Sequence, residues 1–414
     1  MKRYESYKHS GIDWLGEIPE HWEVKKVKEI ATLHGRIGFR GYNQSDLVSE
    51  GEGCITISPS NISEYDMSFD KNSYLSWEKY FESPEIMIYE NDILMVKTGS
   101  TVGKVGYVKN LREKATINPQ LLVVKNIKAN SRYFFLFINS NKFFELIKSN
   151  AIGSTIPTIS ETKIGILKII YPPIHEQEAI AQFLDEKCAK IDELVAIKAQ
   201  QIEKLKELRQ VKIHEAVTKG LDTSVELKDL GIDWIGEIPK HWEVKRLKHL
   251  LKINNGSDYK HILVDDGYPV IGSGGQFAYA SKYIYDGEVL LLGRKGTIDK
   301  PLYFKGKFWT VDTMFYGIAN KHGNTKFLYY LATTIPYKYY STATALPSMT
   351  QGDLNNHKIA VPQISEQEAI VSYLEQETAK IDQGIAQRQE QIEKLKGYKQ
   401  SLINEVVTGK VKVA

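Results

Sequence analysis

Two segments of this 414-residue chain occur twice in the same order, and this duplication constrains the fold more than any other feature. Residues 11–30 (GIDWLGEIPEHWEVKKVKEI) match residues 231–250 (GIDWIGEIPKHWEVKRLKHL) at fourteen of twenty positions. Residues 172–218 match residues 362–408 at 24 of 47 positions. The middles between these segments share little sequence, and the second is 30 residues shorter. A conserved frame around divergent middles indicates two similar domains that perform related but distinct recognition.

The second repeated segment predicts a long helix in each copy. In residues 176–217 most apolar side chains recur three or four positions apart, and the second copy keeps the same spacing. Proline precedes each stripe, and Gly220 or Gly409 follows it, as at the ends of helices. The residues predicted to pack between the helices are Ile180, Leu184, Ile191, Val195, Ile202, Leu205, Ile370, Leu374, Ile381, Ile385, Ile392 and Leu395.

A helix of about 40 residues is about 60 Å long, so two such helices with matching stripes predict an antiparallel coiled-coil spacer. The alternative is that each helix packs only on its own domain. The charge-rich EKLKEL and EKLKGY stretches favour paired helices with solvated faces. The predicted fold class is α+β with an internal pseudo-two-fold repeat. Its predicted parts are a first recognition domain at 1–171, a spacer helix at 172–220, a second recognition domain at 221–361 and a second spacer helix at 362–414.

The motif that opens each half contains a histidine between a proline and a tryptophan. His21 and His241 have no cysteine or carboxylate cluster at ligand spacing, so no metal site is predicted. Trp14 and Trp22 are predicted to pack against a partner element. The proline and tryptophan interrupt regular structure before a short strand or helix.

The stretch LMVKTGSTVGKVG (94–106) invites comparison with a nucleotide-binding P-loop. A P-loop has four residues between its first glycine and the Gly-Lys pair, with Ser or Thr after the lysine. Here three residues separate Gly99 from Gly103, and Val105 follows Lys104. The corresponding LLGRKGTIDKP of the second copy lacks the pattern. The spacing therefore argues against a nucleotide site.

Both middles nevertheless keep an apolar strand followed by a loop with a glycine, a hydroxyl residue and a base. NDILMVKTGSTVGKVGYV (91–108) parallels GEVLLLGRKGTIDKPLYF (287–304) with one gap, and TINPQLLVV (116–124) parallels TVDTMFYGI (310–318). The flanking STIPTIS (154–160) parallels TALPSMT (344–350). A second glycine loop, IGSGGQFAY (271–279), occurs in the second copy.

Such loops suit contact with DNA, because glycine lets a backbone approach closely and hydroxyl, N–H and basic groups bind phosphates and bases. Tight turns on a β-rich domain are the structural alternative. The candidate DNA-binding residues are Lys97, Thr98, Gly99, Ser100, Lys104, Ser273, Gly274, Gly275, Gln276, Arg294, Lys295, Gly296, Thr297 and Lys300.

The composition is that of an ordinary globular protein, with 42% apolar and 25% charged residues. A net charge of +3 permits nucleic-acid binding without demonstrating it. There is no run of about 18 apolar residues, and the start of the chain does not resemble a secretory signal, so no membrane span is predicted. Cys54 and Cys188 are predicted to be reduced thiols of a cytoplasmic protein.

The order of variable domain, conserved helix, variable domain and conserved helix resembles the specificity subunit of type I restriction-modification enzymes. The residues that carry this resemblance are IPEHWEVKKVKEI and IPKHWEVKRLKHL, the strand–loop pairs DILMVKTGSTVGKV and EVLLLGRKGT, and the helix openings PPIHEQEAIAQFLDEKCAKID and PQISEQEAIVSYLEQETAKID. Each motif is weak alone, but the doubled set in this order is highly specific and covers nearly the whole chain.

The resemblance implies that each variable domain reads one half of a split double-stranded DNA target, while the helices set the unread gap. It further implies docking of two methyltransferase subunits and recruitment of motor-nuclease restriction subunits. S-adenosylmethionine, ATP and magnesium would then bind to those partners, and this chain would bind no cofactor and catalyse nothing. Tyr171-Pro-Pro-Ile174, the nearest sequence to an adenine methyltransferase motif, lacks its Asp or Asn and its aromatic residue. Because the two middles differ, the expected target is asymmetric.

Two other functions are compatible with a duplicated domain. One is a protein-interaction scaffold without a nucleic-acid role. The other is a standalone enzyme, which the broken pattern around Lys104 disfavours.

Overall fold

The structure, a computed structural model, describes residues 2–63, 67–341 and 347–413. It divides into two compact units, each of which contains parts that are distant in sequence. The first unit comprises residues 1–197 and 391–414, and the second comprises residues 198–390. Each unit therefore holds one variable middle together with segments of both repeated helices.

The first unit contains two four-stranded sheets and two small two-stranded sheets. The orders are β4-β11-β8-β9, β10-β6-β7-β5, β1-β2 and β12-β3. The strands are β1 (Tyr7–His9), β2 (Glu17–Pro19), β3 (Glu23–Lys26), β4 (Thr32–Gly35), β5 (Leu47–Val48), β6 (Gly53–Ile57), β7 (Ser73–Ser76), β8 (Ile93–Val96), β9 (Val105–Tyr107), β10 (Ala115–Ile117), β11 (Leu121–Lys125) and β12 (Lys168–Tyr171). The helices are α1 (Val27–Ile30), α2 (Trp77–Phe81), α3 (Ser131–Ile138), α4 (Asn141–Asn150), α5 (Glu161–Gly165) and the start of α6 (Ile174–Lys219), with 3₁₀ turns at Gly38–Arg40, Gln44–Asp46, Pro59–Asn61 and Pro84–Ile86.

The second unit contains one seven-stranded sheet, ordered β16-β22-β20-β21-β18-β19-β17, and the two-stranded sheets β13-β14 and β15-β23. The strands are β13 (Leu227–Asp229), β14 (Glu237–Pro239), β15 (Glu243–Arg246), β16 (Leu251–Asn255), β17 (Leu263–Val264), β18 (Tyr268–Gly272), β19 (Gly275–Ala280), β20 (Tyr285–Gly293), β21 (Leu302–Thr310), β22 (Met314–Ala319) and β23 (Lys358–Val361). The helices are α7 (Thr325–Ala332), α8 (Tyr337–Tyr340), α9 (Gln351–Asn356) and α10 (Ile364–Val407), with 3₁₀ turns at Leu247–His249 and Lys260–Ile262.

The two variable middles have the same strand order despite their different sequences. The sheet β4-β11-β8-β9 corresponds to β16-β22-β20-β21, and β10-β6-β7-β5 corresponds to the end of β21 followed by β18-β19-β17. The nine-residue β21 belongs to both layers of the second unit, whereas a connection at 108–114 splits its counterpart into β9 and β10 in the first. The predicted α+β duplication is therefore confirmed, and part of the extra length of the first copy lies in this connection.

A joint that occurs in both units attaches each variable middle to the long helix that follows it. In the first unit the buried indole of Trp22 donates to Glu176 Oε2 at 3.1 Å, and the Tyr4 hydroxyl donates to the same oxygen at 2.8 Å. His21 contacts the other carboxylate oxygen. A buried carboxylate is stable only when its oxygens are hydrogen-bonded, and the histidine-tryptophan motif supplies these bonds.

The second unit repeats this joint. The indole of Trp242 donates to Glu366 Oε1 at 3.0 Å, and His241 Nε2 lies 3.1 Å from Glu366 Oε2. The two histidines therefore take part in hydrogen-bonded joints that the sequence did not predict. Sequence reasoning predicted that Trp22 would pack, but not that its partner would be the first acid of the long helix.

The glutamine that follows each of these acids holds the domain from another side. Gln177 Oε1 accepts from the backbone N–H of Asn130 at 2.8 Å, immediately before α3, and its amide donates to Pro172 O at 2.7 Å. Gln367 makes the corresponding bond to Asn324 N at 2.8 Å, immediately before α7. Each Glu-Gln pair thus connects the helix start to two elements of its domain.

The opposite end of each long helix lies against the same joint. Gly409 follows α10 in the first unit with φ +73°, and a Cβ there would lie 2.9 Å from the ring of Trp22. Gly220 follows α6 in the second unit with φ +75°, and its Cβ would lie 3.2 Å from the ring of Trp242. Glycine fits both positions because it tolerates a left-handed backbone and carries no Cβ.

The two long helices are confirmed, and they run antiparallel in both units. In the first unit the early part of α6 meets the end of α10, where Lys399 Nζ lies 2.7 Å from both carboxylate oxygens of Asp192. In the second unit Arg209 Nε lies 3.4 Å from Asp382 Oδ1. These ion pairs occupy equivalent positions of the repeat, with acid and base exchanged between the helices. The alternative in which each helix packs only on its own domain does not describe either unit.

The predicted packing residues lie on the inner side of the helices to different degrees. The buried ones are Ile180, Leu184, Ile191, Ile202, Ile370, Leu374 and Ile381, and the half-buried ones are Val195, Leu205, Ile385, Ile392 and Leu395. Leu208 and its counterpart Tyr398 also fit the apolar stripe of the sequence, yet they are 43% and 52% exposed. Apolar spacing alone therefore does not determine which side of a helix meets its partner.

We predict that Glu176→Gln lowers the free energy of unfolding by about 1–3 kcal/mol near neutral pH, since charged hydrogen bonds at a buried site are lost. Burial raises the pKa of Glu176. Hydrogen bonds from His21, Tyr4 and Trp22 lower it by more, so that the pKa lies below its ordinary value of 4.5. This carboxylate therefore contributes stability above pH 4.5 that disappears as the pH falls through its lower folded pKa.

The measurement is denaturant unfolding of both proteins as a function of pH. The control is Glu178→Gln, which alters an exposed acid two residues further along the helix. This role of Glu176 would be contradicted if the two variants lost the same free energy of unfolding, or if the loss for Glu176→Gln stayed unchanged in acid.

Candidate nucleic-acid interface

The lysine-rich loop of the first unit joins two antiparallel strands. Strand β8 pairs with β9, and the loop closes through Gly103 N to Val96 O at 2.8 Å and Val96 N to Lys104 O at 2.8 Å. Gly99 and Gly103 have φ of +114° and +89°. A P-loop leads from a strand into a helix, so the hairpin geometry shows that this loop is not a P-loop.

The second unit holds its corresponding loop in the same way. Gly99 N donates to Pro157 O at 2.9 Å, and Gly296 N donates to Pro347 O at 2.8 Å. The residue two positions before each glycine accepts from the same proline segment, through Lys97 O and Arg294 O. The structure therefore makes Lys97 equivalent to Arg294. Residues 344–346 of the parallel TALPSMT lie outside the described residues.

A turn before the neighbouring strand also contacts both loops. The backbone N–H groups of Lys97 and Thr98 donate to Gln120 O, and those of Arg294 and Lys295 donate to Thr313 O. Gln120 is therefore equivalent to Thr313, which shifts the alignment of TINPQLLVV and TVDTMFYGI by one residue. The correct correspondence pairs Pro119 with Asp312, because hydrogen bonds rather than the shared threonine define the turn.

The candidate residues of the first loop differ in how accessible they are to a ligand. Lys97 Nζ lies 2.7 Å from Glu161 Oε1, so its charge is already compensated. Burial raises the pKa of Glu161, whereas the hydrogen bond and charge of Lys97 lower it. The net effect is a lowered pKa for Glu161, which keeps the pair ionised. Ser100 is exposed, whereas Thr98, Gly99 and Lys104 are half-buried. Among these side chains, Ser100 is the most accessible to a ligand.

The second loop presents more free charge. Lys295 and Lys300 are exposed, and Gly296 and Thr297 are half-buried beside them. Arg294 is half-buried, with its Nη1 donating to Asp312 O at 3.3 Å and its guanidinium 5.8 Å from the ring centre of Phe315. The backbone carbonyl and the ring hold the guanidinium in place without neutralising it.

The glycine loop of the second unit is a tight hairpin turn. Gly272 pairs with Gly275, which leaves Ser273 and Gly274 as the turn between β18 and β19. Together with the adjacent turn at 312–313, this hairpin forms an open concavity of about 520 Å³. The residues lining it are Tyr259, Gly272, Ser273, Gly274, Gly275, Phe277, Val311, Asp312 and Thr313.

The concavity unites two loops that lie apart in the sequence. Asp312 and Thr313 line it, and their carbonyls accept the hydrogen bonds of the basic loop at Arg294. Gln276 is exposed but does not line it, whereas Phe277 does. Val270 pairs with Ala278 and Ile271 pairs with Gln276, so Phe277 is the extra residue of a β-bulge. A bulge changes the direction of a side chain, and here it is Phe277, not the candidate Gln276, that lines the site.

Several side chains near the candidate loops were missed by sequence reasoning. In the second unit they are Tyr259, Phe277 and Asp312. In the first unit Gln120 lies beside Gly99, and the buried Arg36 donates to Thr116 Oγ1 at 3.0 Å and Ile117 O at 3.1 Å. Burial lowers the pKa of Arg36. The only signal in the sequence was that these residues lie close to the strand segments that align between the two copies. That signal does not distinguish them from their neighbours.

The described part of the chain offers no other obvious chemistry. It contains no group of three or more His, Cys, Asp or Glu side chains that could hold a metal ion. Cys54 and Cys188 are buried free thiols, and burial raises the pKa of Cys54 to about 11. Within the same ranges, no helix is both long and apolar enough to cross a bilayer.

Comparison with known proteins identifies the class. The model of the type I restriction modification DNA specificity domain matches residues 19–207 and again residues 239–394. The chain belongs to this family and carries its domain twice. It is thus a specificity subunit with two target recognition domains, and catalysis in such systems lies in the partner subunits. The non-DNA scaffold and the standalone enzyme are not supported.

Individual relatives agree with this family. The chain is 25% identical to the type I restriction enzyme MjaVIII specificity subunit of Methanocaldococcus jannaschii, over 96% of this chain and 94% of the relative. It is 23% identical to the EcoKI specificity subunit of Escherichia coli strain K12, over 62% of this chain and 54% of the relative.

Solved structures share the fold at low sequence identity. One is a chain from work on complex assembly and conformational transition of the type I R-M system, with a TM-score of 0.72 and 14% identity over 95% of this chain and 99% of that chain. Another is the HsdS subunit from Thermoanaerobacter tengcongensis, with a TM-score of 0.53 and 15% identity over 95% of this chain and 98% of that chain.

We predict that Gly99→Ala destabilises the first unit by about 1–3 kcal/mol, because φ +114° is strained for a residue with a Cβ. Thermal or denaturant unfolding measures the loss. The matched control, Gly397→Ala, changes a glycine within α10 whose Cβ would meet nothing within 4 Å, and should stabilise slightly. Unchanged stability of Gly99→Ala would show that the loop adopts another conformation.

Proposed function

We propose that the two recognition domains of this specificity subunit each bind one half of a bipartite, asymmetric double-stranded DNA target. The observation that carries this proposal is that equivalent loops on one shared framework carry different side chains. Lys97 in the first domain corresponds to Arg294 in the second, and Pro119 corresponds to Asp312. Identical readers would suit a palindrome, whereas these two differ where a ligand would meet them.

The candidate loops supply the groups that DNA binding requires. Lys295 and Lys300 are exposed cations beside Arg294, and Ser100 and Lys104 lie on the corresponding loop of the first domain. Basic groups of this kind neutralise phosphates, so binding should weaken as salt increases. Sequence would be read by the remaining side chains at base edges.

We further propose that the helix pair sets the gap between the half-sites and docks two methyltransferase subunits. The support is that large apolar side chains of both helices stay exposed within their own units. Leu194 and Tyr398 in the first unit and Leu208 and Val211 in the second are 43–52% exposed. Such exposed apolar side chains offer surface that a partner protein could cover.

The remaining partners follow from this assignment. Motor-nuclease restriction subunits would complete the assembly, and S-adenosylmethionine, ATP and magnesium would bind to the partner subunits. This chain would contribute DNA recognition without a cofactor of its own. The complex would act in the cytoplasm, where its DNA substrate lies.

The decisive experiment is modification-sensitive sequencing of source-cell DNA with and without an intact copy of the gene. We expect a split, asymmetric adenine-methylated motif that disappears when the gene is disrupted and returns when it is restored. The motif would identify both half-sites and the gap. If the reconstituted complex with its methyltransferase partner also fails to retain duplex DNA at low salt, the proposal is wrong.

The role of the helices as a spacer makes a separate prediction. Deletion of residues 197–203 together with 387–393 removes seven residues, or two turns, at equivalent positions of the repeat. Each helix becomes about 10 Å shorter, so the gap of the methylated motif should shrink by about three base pairs. Both half-sites should stay unchanged.

The control for this deletion replaces with alanine only those residues of the same two segments that are exposed, which keeps the helix length and the packing side chains Ile202 and Ile392. The alanine variant should retain the original gap. A methylated motif with the original gap after the deletion would show that the helices do not set it.

A further inference from the structure

Close backbone packing and hydrogen bonds support the concavity of the second recognition domain. Its floor is Val311, whose carbonyl would lie 2.0 Å from a Cβ at Gly256, so only glycine permits this close packing. Ser257 N donates to Thr310 O at 2.9 Å, and the Trp309 indole donates to Ser257 O at 3.0 Å. The segment carrying Tyr259 is therefore fixed against the turn that carries Asp312.

One wall of the concavity is aromatic and open to solvent. Phe277 is 55% exposed, and its ring meets that of Tyr259 edge to face at 5.2 Å. The Phe277 ring also lies 3.3 Å from the position of a Cβ on Gly272, so the hairpin backbone supports it. A Cβ at Gly274 or Gly275 would meet nothing within 4 Å, which leaves the turn open to close approach. Exposed apolar rings held in this way can contact another molecule without rearrangement.

The opposite wall presents a free carboxylate beside a basic loop. Asp312 is exposed, and its carboxylate makes no hydrogen bond or ion pair with any described residue. Its backbone carbonyl, not its carboxylate, binds Arg294. A carboxylate that faced a phosphate would be repelled, whereas one that faces a base can accept a hydrogen bond from an exocyclic amine. An unpaired acid next to Arg294 and Lys295 therefore fits base reading better than backbone binding.

Among the residues that the structure describes, this arrangement is found in the second domain. Asp312 corresponds to Pro119 of the first domain, which offers no acceptor on its side chain. The two-residue turn of 273–274 corresponds to the connection at 58–72, of which residues 58–63 and 67–72 are described. A feature that distinguishes the two readers on one framework is suited to determine the half-site of its own domain.

We propose that this concavity is the base-reading subsite of the second domain, an inference that rests on the proposed function. Asp312 accepts a hydrogen bond from the exocyclic amine of a cytosine or an adenine in the major groove. Phe277 and Tyr259 contact the apolar edge of a neighbouring base, such as a thymine methyl group. Arg294 and Lys295 bind the adjacent phosphates and add affinity without sequence preference.

The test uses the complex of this chain with its methyltransferase partner and duplexes that contain the methylated motif. Each base pair of either half-site is substituted in turn, and dissociation constants are measured at several salt concentrations. For Asp312→Ala we expect discrimination at one cytosine- or adenine-containing position of the second half-site to fall about tenfold or more. Phe277→Ala should relax a neighbouring position. Discrimination in the first half-site should not change.

The basic pair should behave differently from the reading residues. Replacing Arg294 and Lys295 together by alanine should weaken binding to all sequences alike and reduce the salt dependence. The matched controls are Asp266→Ala, an exposed acid outside the concavity, and Tyr279→Ala, an exposed aromatic on the same strand as Phe277. Both controls should keep wild-type discrimination. Equal melting temperatures of all variants show that the domain stays folded.

The outcomes separate this subsite from the function on which it rests. If the wild-type complex discriminates both half-sites but Asp312→Ala and Phe277→Ala retain full discrimination, the subsite assignment is overturned and the function stands. If Asp312→Ala weakens all sequences equally, the residue is not a base reader. If the wild-type complex binds every duplex alike, the proposed function itself fails.

Discussion

Each long helix begins with a Glu-Gln pair whose side chains reach into the recognition domain before it. In the first unit Glu176 accepts hydrogen bonds from Tyr4 and Trp22, and Gln177 binds the backbone at Asn130. A buried carboxylate needs such partners, so the domain and the helix start stabilise each other. The second unit repeats the joint, and the glycine that ends the other helix packs on the same tryptophan. Two distant parts of the chain therefore depend on one small set of hydrogen bonds.

The recognition domains combine this fixed joint with loops that are free to differ. In each domain a proline segment and a neighbouring turn bind the backbone of the basic loop, through Pro157 and Gln120 in the first and Pro347 and Thr313 in the second. Backbone hydrogen bonds place the loop whatever its side chains are. Side-chain identity can then change without loss of the loop position, which explains how one framework can support two different readers.

In the helix pair, ion pairs between the helices favour one alignment, while some apolar side chains stay exposed. The pair Asp192–Lys399 recurs as Asp382–Arg209, and Lys399 is only 4% exposed. A buried lysine requires its acid partner, so this pair favours one alignment of the antiparallel helices. Apolar side chains such as Leu208 stay exposed nearby, and they remain available to other subunits of the proposed assembly.

The sequence by itself determined the duplication, the two long helices with their terminal glycines and the family, because repeats, apolar spacing and ordered motifs are local or periodic signals. It also located the strand–loop pairs around Gly99 and Gly296. Only the tertiary structure decided that Glu176 is the partner of Trp22, that Pro119 rather than Asn118 is the counterpart of Asp312, and that Phe277 rather than Gln276 lines the concavity. These relations depend on strand pairing and on the side of an element that meets its neighbours. They join residues far apart in the chain, and no local pattern records them.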